Sequence, residues 1–485
     1  MSLSPETPSA FSAGIDRRSL LRRAAAAALV ALPAAGLLEA CAGNSTPTTS
    51  STGGAASAKN PLGVDESAPL EVVIFDGGYH DTYATKYHIP EYKAAFPKAA
   101  DKVKESSTQD IQGTLQPRFS GGNPPDVVDN SGTKYLDFGA LIQDNQLQDL
   151  TKLYDAPSVD DPSKKVRDTL VPGTIEFGSY EVSGTSKPFV LNYAYTVYGL
   201  WYNKQLWAKN GWTPPKTWSD FTALLDKIKA AGIVPYSYAG ANASYYQYLV
   251  ILTSATKMGG TDILKNIDNL EDGAWMADAV KQSATAWGEI GAKYSDKANL
   301  GLKHTDVQLK QDQDKVAIYP SGSWLESEQK DSTPATFTYN MFPVPSLTSS
   351  DKLEPEALYA AAGEPFIVAA KGKNPLGGME YLRQMLSKAG AQGFTKETGS
   401  LTAVQGAAEG LTLTEGTKSA NAALSAAKTT FAYRFDGWYK DLDTELRAAT
   451  NELFYQGGTA DKFCSRMQAK ADAIKKDSSI TKFKR

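Results

Sequence analysis

Leu70-Glu71-Val72-Val73-Ile74-Phe75 is an almost unbroken apolar run closed by Asp76-Gly77-Gly78. A run of that length, ended by turn residues, reads as a strand buried on both faces, as in a parallel sheet covered by helices. Over 81–96 the apolar residues change to near-helical spacing, and Asp126-Val127-Val128 followed by a helix-like stretch over 134–145 repeats the pattern. Strand, helix and strand in succession predict an α/β layered lobe. Further on, Thr217-Trp218-Ser219-Asp220 reads as a cap ahead of an amphipathic helix carrying Phe221, Leu224, Leu225 and Ile228, with Gly232 as its stop. Strands are expected over 316–319, 337–342 and 366–369, and helices over 438–454 and 460–475. No internal repeat of 20 to 50 residues is visible.

The chain has 485 residues, enough for two large folding units or about three ordinary ones. Lys and Arg number 50 against 54 Asp and Glu, with no long run of one sign, which argues against a nucleic-acid-binding footprint. Tyr (24) and Trp (8) together outnumber Phe (17), favouring a wet, flat-faced binding surface over an ordinary dry core. His80, His88 and His304 are the three histidines, and none has metal-motif spacing. No Gly-x-Ser-x-Gly elbow or phosphate-cradling loop is present, and Ser254 and Lys257 form a Ser-x-x-Lys pair without the accompanying Lys-Thr-Gly. No catalytic residue, metal or cofactor is therefore expected, although an exported sugar hydrolase needs only two carboxylates and stays open as an alternative.

Residues 1–40 read as an export signal. Arg17-Arg18 precede an apolar stretch from Ala24 to Leu38 that contains Pro33 and is short of the roughly 20 residues a spanning helix needs. The arginine pair suggests twin-arginine export. Leu38-Glu39-Ala40-Cys41 resembles the lipobox of bacterial lipoproteins, which implies lipidation of Cys41 and residence on the extracellular face of the cytoplasmic membrane. Cys464 then has no partner, so no internal disulfide is expected. With Cys41, the Ser-, Thr-, Gly-, Ala- and Pro-rich residues to 69 form a flexible tether, 41–69.

Three segments resemble, in order, the extracellular solute-binding proteins of carbohydrate ABC transporters, the group that includes the maltose-binding protein. They are Gly121-Gly122-Asn123-Pro124-Pro125-Asp126-Val127-Val128, then Val197-Tyr198-Gly199-Leu200-Trp201-Tyr202-Asn203-Lys204, then Val316-Ala317-Ile318-Tyr319-Pro320-Ser321-Gly322-Ser323-Trp324. Asn60-Pro61-Leu62-Gly63-Val64, residues 191–199 and Gly363-Glu364-Pro365-Phe366 are similar to the subfamily that binds N-acetylglucosamine and diacetylchitobiose. The resemblance implies a two-lobe, periplasmic-binding-protein-like (type II) α/β fold with a hinge of about three chain crossings. Placed by the motifs, one lobe is 70–191 plus 338–366 and the other 192–337 plus 367–485. It further implies a monomer that closes on a sugar and hands it to ABC permease subunits in the membrane, or a protein of the same fold for another oligosaccharide.

A pyranose needs aromatic platforms for its C–H face and planar polar groups for its hydroxyls. The resemblance points to Trp324 of the Gly-x-Trp motif and to the pair Trp438-Tyr439 as platforms, against which stand a core Trp and a helix packing face. Tyr193, Tyr195 and Tyr198 lie at the first crossing, where alternation sends Tyr193 and Tyr195 to one face. Asp76, Asp129 and Asn130 follow strands, where open α/β sheets bind ligands, although each also suits a turn or cap. Glu364 at a later crossing and Arg434 complete the polar candidates; Arg434 is equally placed to pair with Asp436. Tyr245 and Tyr246 match a helix-start aromatic region that lines the cleft in relatives.

Overall fold

The computed structural model describes residues 54–485; the expected export signal and Cys41 lie outside the described residues. The apolar run that opens the body forms β1 (Leu70–Phe75). After it come β2 (Val103–Thr108), β3 (Val127–Asp129), β4 (Ser179–Val182), β5 (Thr185–Pro188), β6 (Val190–Asn203) and β7 (Val234–Tyr236). The remaining strands are β8 (Val316–Gly322), β9 (Tyr339–Phe342), β10 (Leu358–Val368), β11 (Leu401–Thr402) and β12 (Thr430–Phe431). β4 and β5 make a separate hairpin, and the others share one sheet whose main path runs β2-β1-β3-β10-β6-β8-β7.

β1 pairs in parallel with both β2 and β3. β1 and β3 are apolar and buried, as inner parallel strands require, while β2 (Val103-Lys104-Glu105-Ser106-Ser107-Thr108) is the polar edge strand, and β10 runs antiparallel to β3. The 14-residue β6 belongs to both halves of the molecule. Its first part lies against β10, from Val190↔Ile367 to Val197↔Ala360, and against β11. Its second part lies between β8 and β9. On one side of this shared pair, Leu70, Val72 and Ile74 pack with Tyr83, Tyr92, Met379, Tyr381, Leu382 and Phe394. On the other, Trp201, Trp207, Phe221, Tyr236 and Trp287 belong to a larger core.

This packing divides the chain differently from the motif-based boundaries. β9, expected in the first lobe, pairs with β6 at Leu200–Asn203 in the second. Helices Pro375–Met385 and Lys388–Thr398, expected in the second, supply Met379, Leu382 and Phe394 to the first. The reason is that β10 itself carries the chain across, entering among second-lobe strands and leaving beside β3. The return falls between β11 and helix Glu415–Ala426, which packs on β9. The helix expected over 134–145 is shorter, Phe138–Gln143, because Asp137 caps it by accepting from Ala140 N at 2.9 Å. Helix Trp218–Ala230 starts as read, with the Thr217 hydroxyl accepting from Asp220 N at 3.2 Å.

Gly199, inside the motif on β6, is required by the close approach of β9. A Cβ there would stand 2.0 Å from Met341 Cε and 2.9 Å from the Phe342 carbonyl oxygen. The methionine tip can turn away but the carbonyl belongs to the sheet. Gly199→Ala should lower unfolding stability by about 1–3 kcal/mol, read as a reduced denaturant midpoint at unchanged slope; an unchanged midpoint would contradict this packing.

Candidate ligand-binding site

A cavity of about 360 Å³, within the range of small-molecule sites, is lined from both lobes. The first lobe contributes the turn after β1 (Asp76, Gly77, Gly78) and the turn after β3 (Asn130 to Thr133), at the carboxyl ends of parallel strands. Gly78 is required because the Trp324 ring lies on it, with Cδ1 2.9 Å from where a Cβ would stand. From β6 the lining residues are Val190, Asn192, Thr196 and Tyr198, all of one parity. Tyr193 and Tyr195 therefore face away. Tyr193 is buried in the first core, its hydroxyl donating to the Met385 carbonyl at 2.9 Å and lying 3.1 Å from His88 Nε2. Tyr195 is partly exposed and outside the cavity.

Two aromatic platforms stand in the wall. Trp324 is half-buried, donates from Nε1 to the Tyr246 hydroxyl at 3.2 Å and meets Tyr198 edge-on at 5.1 Å. Tyr245 is nearly parallel to it at 6.5 Å, and the Arg447 guanidinium lies 4.6 Å over Tyr245. The second platform is Trp438 with Phe177, and the Arg434 guanidinium lies 5.9 and 5.1 Å over their rings. Tyr439, paired with Trp438 in the sequence reading, does not reach the cavity. Its hydroxyl accepts from Phe483 N at 2.9 Å and donates to Phe483 O at 3.3 Å, fixing the chain's last residues. The Phe483 ring then backs Trp438 at 5.7 Å, and Arg485 Nη1 binds Asp268 Oδ2 at 2.6 Å. Asp268 Oδ1 in turn accepts from Arg434 N and Phe435 N, both at 2.9 Å, so the wall carrying Arg434 and Trp438 is held from behind.

The polar groups divide into committed and free. Asn130 lines the cavity, yet its amide is spent on Leu136, donating to O at 2.9 Å and accepting from N at 2.7 Å. Asp129 lies buried beneath the cavity, accepting from Ser131 Oγ at 2.5 Å and Tyr83 OH at 3.2 Å. Burial raises its carboxyl above the usual carboxylate range, and burial together with the Asp129 charge raises that of Glu364. Arg434 makes no ion pair with Asp436, and its side chain has no hydrogen-bond partner among the described residues. Asp436 is raised to about 7, chiefly by burial and then by the charges of Asp443 and Asp268, with Arg447 opposing. Lys257 of the Ser-x-x-Lys pair is buried away from the cavity, donating to Val344 O and Pro355 O at 2.5 and 2.6 Å.

Sequence reasoning missed Arg447, Phe177 and the cavity-lining pair His304 Nε2–Glu328 Oε1 at 3.0 Å. Asp443 and Arg447, joined at 2.7 Å, have the i,i+4 spacing of any helix-surface ion pair, so spacing alone does not mark them. Among the described residues no His, Cys, Asp and Glu cluster suits a metal, and no helix is long and apolar enough to cross a membrane.

Two lobes hung on shared strands around one aromatic-walled cavity define a two-lobe solute-binding protein. Residues 76–392 match the family model of the bacterial extracellular solute-binding proteins, and the chain belongs to that family. It is 36% identical over 443 residues, 88% of this chain and 89% of the other, to the diacetylchitobiose binding protein NgcE of Streptomyces coelicolor. It is 23% identical to the multiple sugar-binding protein of Streptococcus mutans, over 66% of this chain and 72% of that one. In fold it is similar to a chitin oligosaccharide binding protein (TM-score 0.67, 19% identity, 84% of this chain and 98% of that one). The protein is a binding component and not an enzyme, as its relatives are.

Asp436 binds its proton more tightly folded than unfolded, so its contribution is full below about 3.9, the ordinary carboxyl value, and is lost as pH rises through about 7. Asp436→Asn removes that loss. The melting temperature of the variant minus that of the parent should therefore increase from pH 5 to pH 8, and parallel profiles would contradict a raised Asp436 carboxyl in the folded protein.

Proposed function

We propose that the protein captures N-acetylglucosamine or N,N'-diacetylchitobiose outside the cell, closes its lobes on the sugar and delivers it to ABC permease subunits. Cys41, lipidated after twin-arginine export, holds it as a monomer on the extracellular face of the cytoplasmic membrane. The observation that carries the ligand class is the cavity lining, in which two aromatic platforms share one cavity with polar groups of the turns after β1 and β3. Such a wall matches the apolar face and hydroxyl rim of a pyranose. The choice among sugars is supported by the similarity to a diacetylchitobiose binding protein over 88% of the chain. Of the residues expected at the ligand, Trp324, Trp438, Tyr198, Tyr245, Tyr246, Asp76, Glu364 and Arg434 line the cavity and are proposed as contacts. Ligand shifts the lobes only by binding the closed form better, so contacts from both sides are needed.

Titration calorimetry against N-acetylglucosamine, diacetylchitobiose, maltose and xylose tests the reading. Heat is expected with an N-acetylated sugar, with micromolar affinity corresponding to about −8 kcal/mol; heat with maltose alone would overturn the ligand assignment. Trp324→Ala should abolish binding while the free protein still folds, with the fall in melting temperature that the loss of its contacts to Tyr198 and Tyr246 entails; a folded variant that binds the sugar as the parent does would remove Trp324 from the contacts.

A further inference from the structure

Arg434 and Arg447 are the two arginines lining the cavity, and both guanidinium groups are incompletely used. Arg447 donates through Nε to Asp443 Oδ2 at 2.7 Å, while Asp443 Oδ1 is taken by the Tyr248 hydroxyl at 2.6 Å. Its Nη1 is buried with no partner, and neither Nη makes a hydrogen bond among the described residues. Arg434 has a buried, unpartnered Nε and no side-chain hydrogen bond at all among the described residues. A buried guanidinium N–H left without an acceptor costs stability, and each arginine has one, Arg434 at Nε and Arg447 at Nη1. Two arginines in one wall, each over an aromatic ring and each with N–H groups left unused, fit donors kept for a ligand.

The chemistry of that ligand follows from what surrounds each group. A guanidinium only donates, so the partner must be an acceptor. A carboxylate is disfavoured, because the side chains of Asp76, Glu328 and Asp443 share the lining. A neutral amide carbonyl is a strong acceptor without charge, and the methyl of an acetamido group needs an apolar neighbour. Phe177 at Arg434 and Tyr245 at Arg447 supply one each. Platform, guanidinium and ring occur twice in the wall, as Trp324, Arg447 and Tyr245 and as Trp438, Arg434 and Phe177.

We propose that Arg434 and Arg447 are the specificity determinants for N-acetylated sugars, each donating from its Nη end to the acetamido carbonyl oxygen of one residue of a disaccharide. This rests on the sugar-binding reading above and adds to it which groups read the acetamido substituents. Both readers belong to the second lobe, so the sugar seats there first. The first lobe then closes with Asp76, Gln109 and Thr133 toward the hydroxyls.

The test compares diacetylchitobiose with cellobiose, which has the same linkage and a hydroxyl in place of each acetamido group. Titrations use the full chain, Arg434→Gln and Arg447→Lys. Lysine keeps the ion pair with Asp443 and loses the planar fork, which guards against misfolding. The parent protein should prefer diacetylchitobiose strongly, and each variant should lower the ratio of the two affinities by about tenfold or more, the worth of one charged hydrogen bond. Because Arg434 makes no side-chain hydrogen bond, Arg434→Gln should not lower the melting temperature of the free protein. N-acetylglucosamine, filling one subsite, should respond to one variant much more than to the other. If the parent binds diacetylchitobiose and both variants keep its affinity ratio, this assignment is overturned and the sugar-binding reading stands. If the parent prefers maltose or cellobiose, both are overturned.

Discussion

The antiparallel pairing of β6 with β10 is the constraint on which the molecule depends. It joins the first-lobe strands through β3 to the second-lobe strands through β8, so both walls of the cavity are attached to it. The ladder is interrupted once, where Tyr193 and Glu364 would face each other. Glu364 takes a left-handed backbone (φ 54°) before Pro365, where a right-handed helical conformation is sterically disfavoured. The Tyr193 carbonyl turns instead to Ala403 N at 2.7 Å. A non-glycine residue held there stores about 1–3 kcal/mol of strain, and it sits at the junction of the lobes with its side chain on the cavity. The interruption lies where β6 and β10 join the two lobes, with Asp129 buried beside it.

The opposite wall is made rigid by a different device. The chain's last residues pass behind the segment carrying Arg434 and Trp438, with Phe483 against Trp438 and Arg485 on Asp268. Tyr439 and Asp268 are therefore supports, not contacts, and the platform needs no ligand to hold its orientation. A preformed wall on one lobe and a strained junction between the lobes fit a mechanism in which binding precedes closure.

Local features were legible in the sequence because their causes are local. The β1 run, the Thr217 cap and the alternation along β6 each follow from neighbours in the chain. Alternation separated Tyr198 from Tyr193 and Tyr195, although which side faced the cavity needed the register of β10. What was not legible depended on distant partners. β10 was read only at its end, because Leu358 to Glu364 gives no clear apolar signal, and the lobe boundaries were misplaced with it. Arg447 gave no signal in the sequence, because Tyr245, which lies beneath it, is some 200 residues earlier in the chain. Tyr439 looked like a platform until the C-terminal Phe483 claimed its hydroxyl.

The central claim, that ligand binds between lobes hinged on β6 and β10, is tested most directly by small-angle X-ray scattering of the free and sugar-saturated protein. Saturation with diacetylchitobiose should reduce the radius of gyration, and xylose at the same concentration should leave it unchanged. An identical scattering curve with and without a sugar that calorimetry shows to be bound would contradict closure about this hinge.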